Sequence, residues 1–139
     1  MPPIGDGTEA RSTFLKNAFM DISSYLVEQY PDADHHLMYS GHGGPGGALF
    51  AAQLLNKDAY ELLDVWTQSL GRPLGVIDMG GPCTKGSFAD LDNFCKFTRY
   101  YVVSDLPNGG YTMDDWTIEK FHETDAEVQY HNLLAANDN

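Results

Sequence analysis

The stretch GVIDMGGPCTKGSF, residues 75–88, decides the fold that we expect for this chain. Its first half is an apolar run typical of a buried strand, and Ser87 can cap a helix that begins directly after it. Between the two lies a glycine-rich turn that contains Cys83. Apolar runs of the same kind elsewhere predict further strands, so we expect strands near residues 36–41, 73–79 and 99–104.

Helical periodicity fills the segments between these strands. Residues 7–30 carry apolar side chains on one helix face, namely Leu15, Ala18, Phe19, Ile22 and Leu26. Asp6 and Glu9 there have a capping-box spacing, and Pro31 ends the helix. A second helix before Gly71 has the apolar face Ala59, Leu62, Leu63, Trp66 and Leu70. A third, after Ser87, has Phe88, Leu91 and Phe94 or Cys95, and a last one begins near Asp115.

Strands separated by helix-length segments predict parallel pairing with right-handed crossovers. The fold class that follows is α/β, as a three-layer domain with a short, mainly parallel sheet flanked by helices. A length of 139 residues fits one such domain over residues 1–139.

Charge and cysteine content exclude several classes of function. Lys and Arg number 8 against 20 Asp and Glu, a net charge of −12, which repels nucleic acid and anionic membranes and favours cationic ligands. The two cysteines form neither a disulfide framework nor a CxxC metal pair, so we expect free thiols. Without a signal segment or a spanning apolar run, the sequence predicts a cytoplasmic protein.

Two reactive side chains are expected at one edge of the sheet. His42 ends the first strand and Cys83 follows the second, and adjacent parallel strands end at the same edge. An imidazole and a helix N-terminus both activate a thiol, while backbone N–H groups of Gly43 and Cys83 can form an oxyanion pocket. The alternative for Cys83 is a small buried hydrophobic residue at a strand–helix junction.

In this order, YSGHGG, CTKGS and RYYVVSDLPNGGY resemble the caspase-like cysteine peptidases, and within them the clostripain family most closely. The resemblance spans much of residues 35–111. It implies a caspase-like (flavodoxin-like) domain that hydrolyses peptide bonds without a cofactor, with His42 as the general base and Cys83 as the nucleophile.

The acidic residues depart from the family pattern. Family members usually place an acid two residues before the cysteine, at the base of a pocket for a basic P1 side chain, whereas position 81 is glycine here. Asp78 and Asp105 are the candidates to bind a basic substrate side chain. The resemblance thus implies a peptide or protein substrate, and the two acids favour cleavage after basic residues.

Family members also have two more parallel strands before the histidine strand, so the chain is expected to be truncated at its front. An uncovered strand edge favours self-association, and we expect a homodimer that involves the first strand and the first helix. The competing function is a catalytically inactive remnant of the peptidase fold that acts as a binding or oligomerisation module.

The remaining candidates are given structural roles. His35 and His36 are adjacent in an extended segment, so their side chains diverge and we predict no metal site. Cys95 is expected in the core, and His122 and His131 at the surface. GGPGG lacks the spacing of a phosphate loop. Tyr111 and Trp116 form either a ligand wall or a plug over the sheet edge.

Overall fold

The computed structural model describes residues 8–39, 41–42, 49, 53–79, 84–104, 127–128 and 131. The elements follow one another as α1 (Thr8–Gln29), β1 (Leu37–Met38), α2 (Asn56–Leu70), β2 (Leu74–Met79), α3 (Phe88–Phe94), a 3-10 turn (Cys95–Phe97) and β3 (Thr98–Val103). All three predicted strands are present, and β1 is shorter than the predicted 36–41.

The three strands form one parallel sheet in the order β1-β2-β3. Asp78 in the central strand pairs with Met38 on one side and with Val102 on the other. The predicted α/β class and the parallel pairing are therefore confirmed.

The helices pack against one face of the sheet. Ile77 and Met79 of β2 meet the buried face of α2 in a core that also includes Phe94 and Phe97. All five apolar positions predicted for α2 are buried. The opposite face carries a smaller cluster around Val76 and Val102. Within the described ranges only one helix layer is seen, so the third layer remains a prediction.

Polar groups link helix α1 to the first half of α2. The Ser12 hydroxyl donates to the Asp58 carboxylate and accepts the Leu55 N–H at 2.8 Å, and both side chains are buried. Lys16 Nζ lies 2.7 Å from Glu61 Oε2 and 3.7 Å from Asp58 Oδ1. These contacts fix α1 over α2 at a defined point.

The predicted apolar face of α1 is only partly correct. Leu15 and Leu26 pack against the core, and Phe19 is half-buried, but Ala18 and Ile22 are exposed. The polar contacts to α2 set the rotation of the helix, and they turn Ser12 and Ser23 inward instead.

Helix α3 confirms its cap and corrects its apolar face. Ser87 accepts the Asp90 N–H as predicted, which starts the helix. Phe88, however, is 93% exposed, and the expectation that Cys95 lies in the core is wrong because Cys95 is exposed. The helix ends at Phe94 and tightens into the 3-10 turn, so that Phe94 and Phe97 point into the core and Cys95 outward.

No helix in the described part of the chain is long and apolar enough to span a membrane. The capping box at Asp6, the start of the last helix near Asp115, His122, and the pair Tyr111 and Trp116 lie outside the described residues. His131 is exposed, as expected for a surface residue.

Candidate functional site at the carboxyl edge of the sheet

His42 lies just beyond β1, in a turn that is held by Tyr39. The Tyr39 N–H donates to the Asp78 carbonyl oxygen at 3.0 Å, which extends the β1–β2 pairing by one residue. The Tyr39 hydroxyl donates to the His42 carbonyl oxygen at 2.9 Å. This bond ties the exposed His42 to the end of the strand.

Gly41 is required by this turn. A Cβ atom at this position would lie 2.7 Å from the Tyr39 hydroxyl oxygen, closer than real Cβ contacts allow. The Tyr39 ring packs directly over the backbone of residue 41, so a side chain there would displace the ring that holds His42.

The end of β2 lies at the same edge as His42, as the sequence predicts. Because β1 and β2 are parallel, the chain leaves Met38 and Met79 in the same direction. Cys83, Gly43 and Asp105 lie outside the described residues. The described chain resumes at Thr84, directly after Cys83.

The turn at residues 84–87 is tied to the carboxyl end of β3. The Gly86 N–H donates to the Ser104 carbonyl oxygen at 2.7 Å, and the Tyr101 hydroxyl donates to the Lys85 carbonyl oxygen at 3.1 Å. Thr84 adopts a left-handed conformation with φ of 54°, which is unusual for a β-branched residue. Burial is the main cause that raises the pKa of Tyr101, so its hydroxyl stays protonated as a donor.

A buried ion pair stabilises this turn from the inside. Lys85 Nζ and Asp90 Oδ1 are 3.3 Å apart, and both side chains are fully buried. The Ser87 hydroxyl donates to Asp90 Oδ2 at 2.7 Å, and Asn56 Nδ2 donates to Asp90 Oδ1 at 3.2 Å. Asp90 thus connects the turn after Cys83 to the start of α2.

This polar cluster retains unused hydrogen-bonding groups. Asn56 Oδ1 and Thr84 Oγ1 are buried and have no hydrogen-bond partner among the described residues. Buried polar atoms are usually paired with protein or with ordered water. These two atoms leave the cluster able to form further hydrogen bonds.

Asp78 does not lie in an open pocket, where an acid that binds a substrate side chain would be expected. It belongs to the central strand and has no exposed surface. In this structure a substrate side chain would reach its carboxylate only if the neighbouring chain moved aside. A role of Asp78 in binding a basic side chain stays a prediction, as does that of Asp105.

His35 and His36 have structural partners. Trp66 Nε1–H donates to His35 Nδ1 at 3.1 Å, so His35 Nε2 carries the hydrogen and donates to the Tyr30 carbonyl oxygen at 2.9 Å. The Val76 N–H donates to His36 Nδ1 at 3.1 Å. Burial lowers the pKa of His36. The described residues contain no group of three side chains placed to bind a metal ion.

Sequence reasoning missed the Lys85–Asp90 pair. The spacing of Ser87 and Asp90 is that of a capping box, with Asp in place of the usual Glu, and this signal could have identified Asp90. Nothing in the local pattern indicates that Lys85 is buried, because lysine is ordinarily exposed.

Comparison of the chain with protein-family models, with curated proteins and with solved structures finds no match.

Proposed function

We propose that the chain is a clostripain-like cysteine peptidase domain in which His42 and Cys83 form the catalytic dyad. The observation that supports the proposal is the parallel pairing of β1 with β2, because the carboxyl ends of these strands lie at one edge of the sheet. In the sequence His42 follows the first of these ends and Cys83 follows the second. Thr84, next to Cys83 in the chain, is fixed at the carboxyl end of β3 through Gly86.

In the proposed reaction the Cys83 thiolate attacks the carbonyl carbon of the scissile peptide bond. Backbone N–H groups of Gly43 and Cys83 stabilise the oxyanion, and protonated His42 donates its proton to the leaving amine. A water molecule, activated by neutral His42, then hydrolyses the thioester and releases the acid product. No cofactor is required.

Cleavage after a basic residue is the specificity that the charge of the chain favours. A net charge of −12 raises the local concentration of cationic peptides around the protein. Asp105 and Asp78 are the proposed partners of the P1 side chain, and Asp78 takes part only if the chain around it opens.

The test is a pair of fluorogenic peptides that differ only in arginine or leucine at P1. The wild type should cleave the arginine peptide, and Cys83→Ala and His42→Ala should each lower the rate by at least about 100-fold. Cys95→Ala is the matched control, since it removes an exposed thiol at the opposite end of α3 from the turn, and it should leave the rate unchanged. Equal rates for the wild type and Cys83→Ala would contradict the proposal.

A second candidate function is self-association through α1, with or without catalysis. Three large apolar side chains of α1 are more than half exposed, Phe14, Ile22 and Tyr25. Ile22 and Tyr25 follow Phe14 by eight and eleven residues, a spacing that places all three on one side of the helix. An exposed apolar patch of this kind is typical of an interaction surface, and we propose a homodimer with α1 at its interface.

Light scattering at micromolar concentration tests the homodimer. The wild type should have about twice the mass of one chain, and Tyr25→Lys should have the mass of a monomer because it buries a charge in the interface. Val65→Lys, which changes an exposed apolar residue of α2, should leave the dimer intact. A monomeric wild type would contradict this second candidate and would leave the peptidase proposal unaffected.

A further inference from the structure

An apolar cavity of about 420 Å³ lies between the helix layer and the sheet. Helices α1, α2 and α3 and strands β1 and β2 contribute to its wall, and its deepest part is formed by Leu63, Met79 and Phe94, which are almost completely buried. Ile22, which is 54% exposed, marks where the cavity reaches the surface. This volume is within the range of small-molecule binding sites.

The polar side chains in the wall have already used their hydrogen-bond donors. Ser23 donates to the Met20 carbonyl oxygen at 3.0 Å, Tyr39 to the His42 carbonyl oxygen at 2.9 Å, and Trp66 to His35 at 3.1 Å. A carboxylate or phosphate group would find no donor from these side chains. Water, which needs two to four polar partners in a cavity, would also be poorly bound.

The size and lining together define the chemical class of the occupant. The cavity has nearly three times the volume of the ~150 Å³ apolar cavity that accommodates one benzene molecule, which corresponds to about 15–18 carbon atoms. The net charge of −12 further disfavours an anionic head group at the opening. A neutral hydrocarbon chain or a fused aromatic molecule meets all three conditions.

We infer that the cavity bounded by α1, α2, α3, β1 and β2 is a binding site for a neutral apolar small molecule. The depth of the site favours a small molecule over a second copy of the chain. Its floor is formed by fully buried core residues, and a surface helix of a partner could cover the opening beside Ile22 without filling the interior. This site is separate from the proposed peptidase chemistry and does not depend on it.

The inference is tested with N-phenyl-1-naphthylamine, a neutral aromatic dye of matching size whose fluorescence increases in apolar surroundings. The full chain should bind one dye molecule with a saturable fluorescence increase. Ala59 is a buried residue of α2 in the cavity wall, so Ala59→Phe should fill the space and weaken binding at least tenfold. Ala10→Phe, which adds the same bulk at an exposed position of α1, should bind as the wild type does.

Two further measurements keep the test decisive. If Ala59→Phe does not unfold cooperatively, Ala59→Leu replaces it, with a smaller but measurable loss of affinity expected. The dye signal should disappear when the wild type unfolds thermally, since it reports a native cavity. Absence of saturable binding, unchanged binding in the folded Ala59 variant, or a signal that persists through unfolding would overturn the inference.

Discussion

Lys85 and Asp90 form a fully buried ion pair, with 3.3 Å between Nζ and Oδ1, in the turn and helix that follow Cys83 of the candidate dyad. Burying two charges costs several kcal/mol per ion before their attraction is counted. The hydrogen bonds from Ser87 and Asn56 to Asp90 offset part of this cost. The arrangement fixes the backbone from residue 84 to residue 90 relative to α2.

Removing one member of this pair should strongly destabilise the protein. Lys85→Met leaves the Asp90 carboxylate buried without its counter-ion, and we expect the free energy of unfolding to fall by about 3–5 kcal/mol in urea denaturation. Lys57→Met is the matched control. It breaks the exposed pair between Lys57 and Glu9 and should change the unfolding free energy far less, because solvent screens these two charges. Equal losses of unfolding free energy in Lys85→Met and Lys57→Met would show that burial of the pair does not determine the size of the effect.

We expect low pH to destabilise the protein because the unfolded chain binds a proton at His36 more readily than the native state does. Burial lowers the pKa of His36, and this effect outweighs the opposing influence of Asp34, while His35 adds to the lowering. Because the unfolded chain has the ordinary pKa of about 6.5, it binds more protons than the native state as the pH falls below that value. The stability from neutral His36 is therefore fully present above about pH 6.5 and is lost as the pH falls towards the native pKa.

Urea denaturation at about pH 7.5 and about pH 5.5 measures this effect, as the difference in unfolding free energy between the two conditions. His36→Gln should show a smaller loss on acidification than the wild type. His131→Gln changes an exposed histidine and should behave as the wild type does. The same loss in all three proteins would show that His36 does not contribute.

The loss of stability on substitution of Gly41 should depend on the side chain at position 39, which is Tyr39. In Gly41→Ala the new methyl group would meet the Tyr39 hydroxyl, and overpacking of this kind costs about 1–3 kcal/mol of unfolding free energy. Tyr39→Phe removes the hydroxyl, so the double variant should lose less stability than the sum of the two single variants. Additive losses would show that the close approach of the ring is not what requires glycine.

Gly71→Ala provides the comparison for that experiment. Gly41 and Gly71 both have a positive φ, 156° and 76°, but nothing lies within 4 Å of the position that a Cβ atom would take at Gly71. Only backbone strain opposes this substitution, at about 1–2 kcal/mol, and Tyr39→Phe should not change that value.

The parts of the fold that depend on local pattern could be predicted from the sequence. The buried face of α2, the apolar run of β2 and the Ser87 cap are each encoded within a few consecutive residues. Parallel pairing followed from the length of the segments between strands. The edge that carries His42 was predictable for the same reason.

The parts that depend on distant partners could not be predicted. Ser12 is buried because Asp58, 46 residues away, binds its hydroxyl, and this contact rotates α1 so that Ile22 faces solvent. Local periodicity contains no information about such a partner. Cys95 is likewise exposed because α3 ends at Phe94 and a 3-10 turn follows. The helical pattern fits an inward-facing side chain at Phe94 or at Cys95, so it does not specify where the helix ends.

The most direct test of the central claim is the intact mass of the protein after treatment with a lysine chloromethyl ketone at neutral pH. The account predicts one adduct, mapped to Cys83 by peptide digestion, and labelling at least about 100-fold slower in His42→Ala. Iodoacetamide, which needs no substrate recognition, should still modify the exposed Cys95 in both proteins. An unmodified Cys83 in the folded wild type, or equal labelling of Cys83 and Cys95 by the chloromethyl ketone, would contradict the proposed dyad.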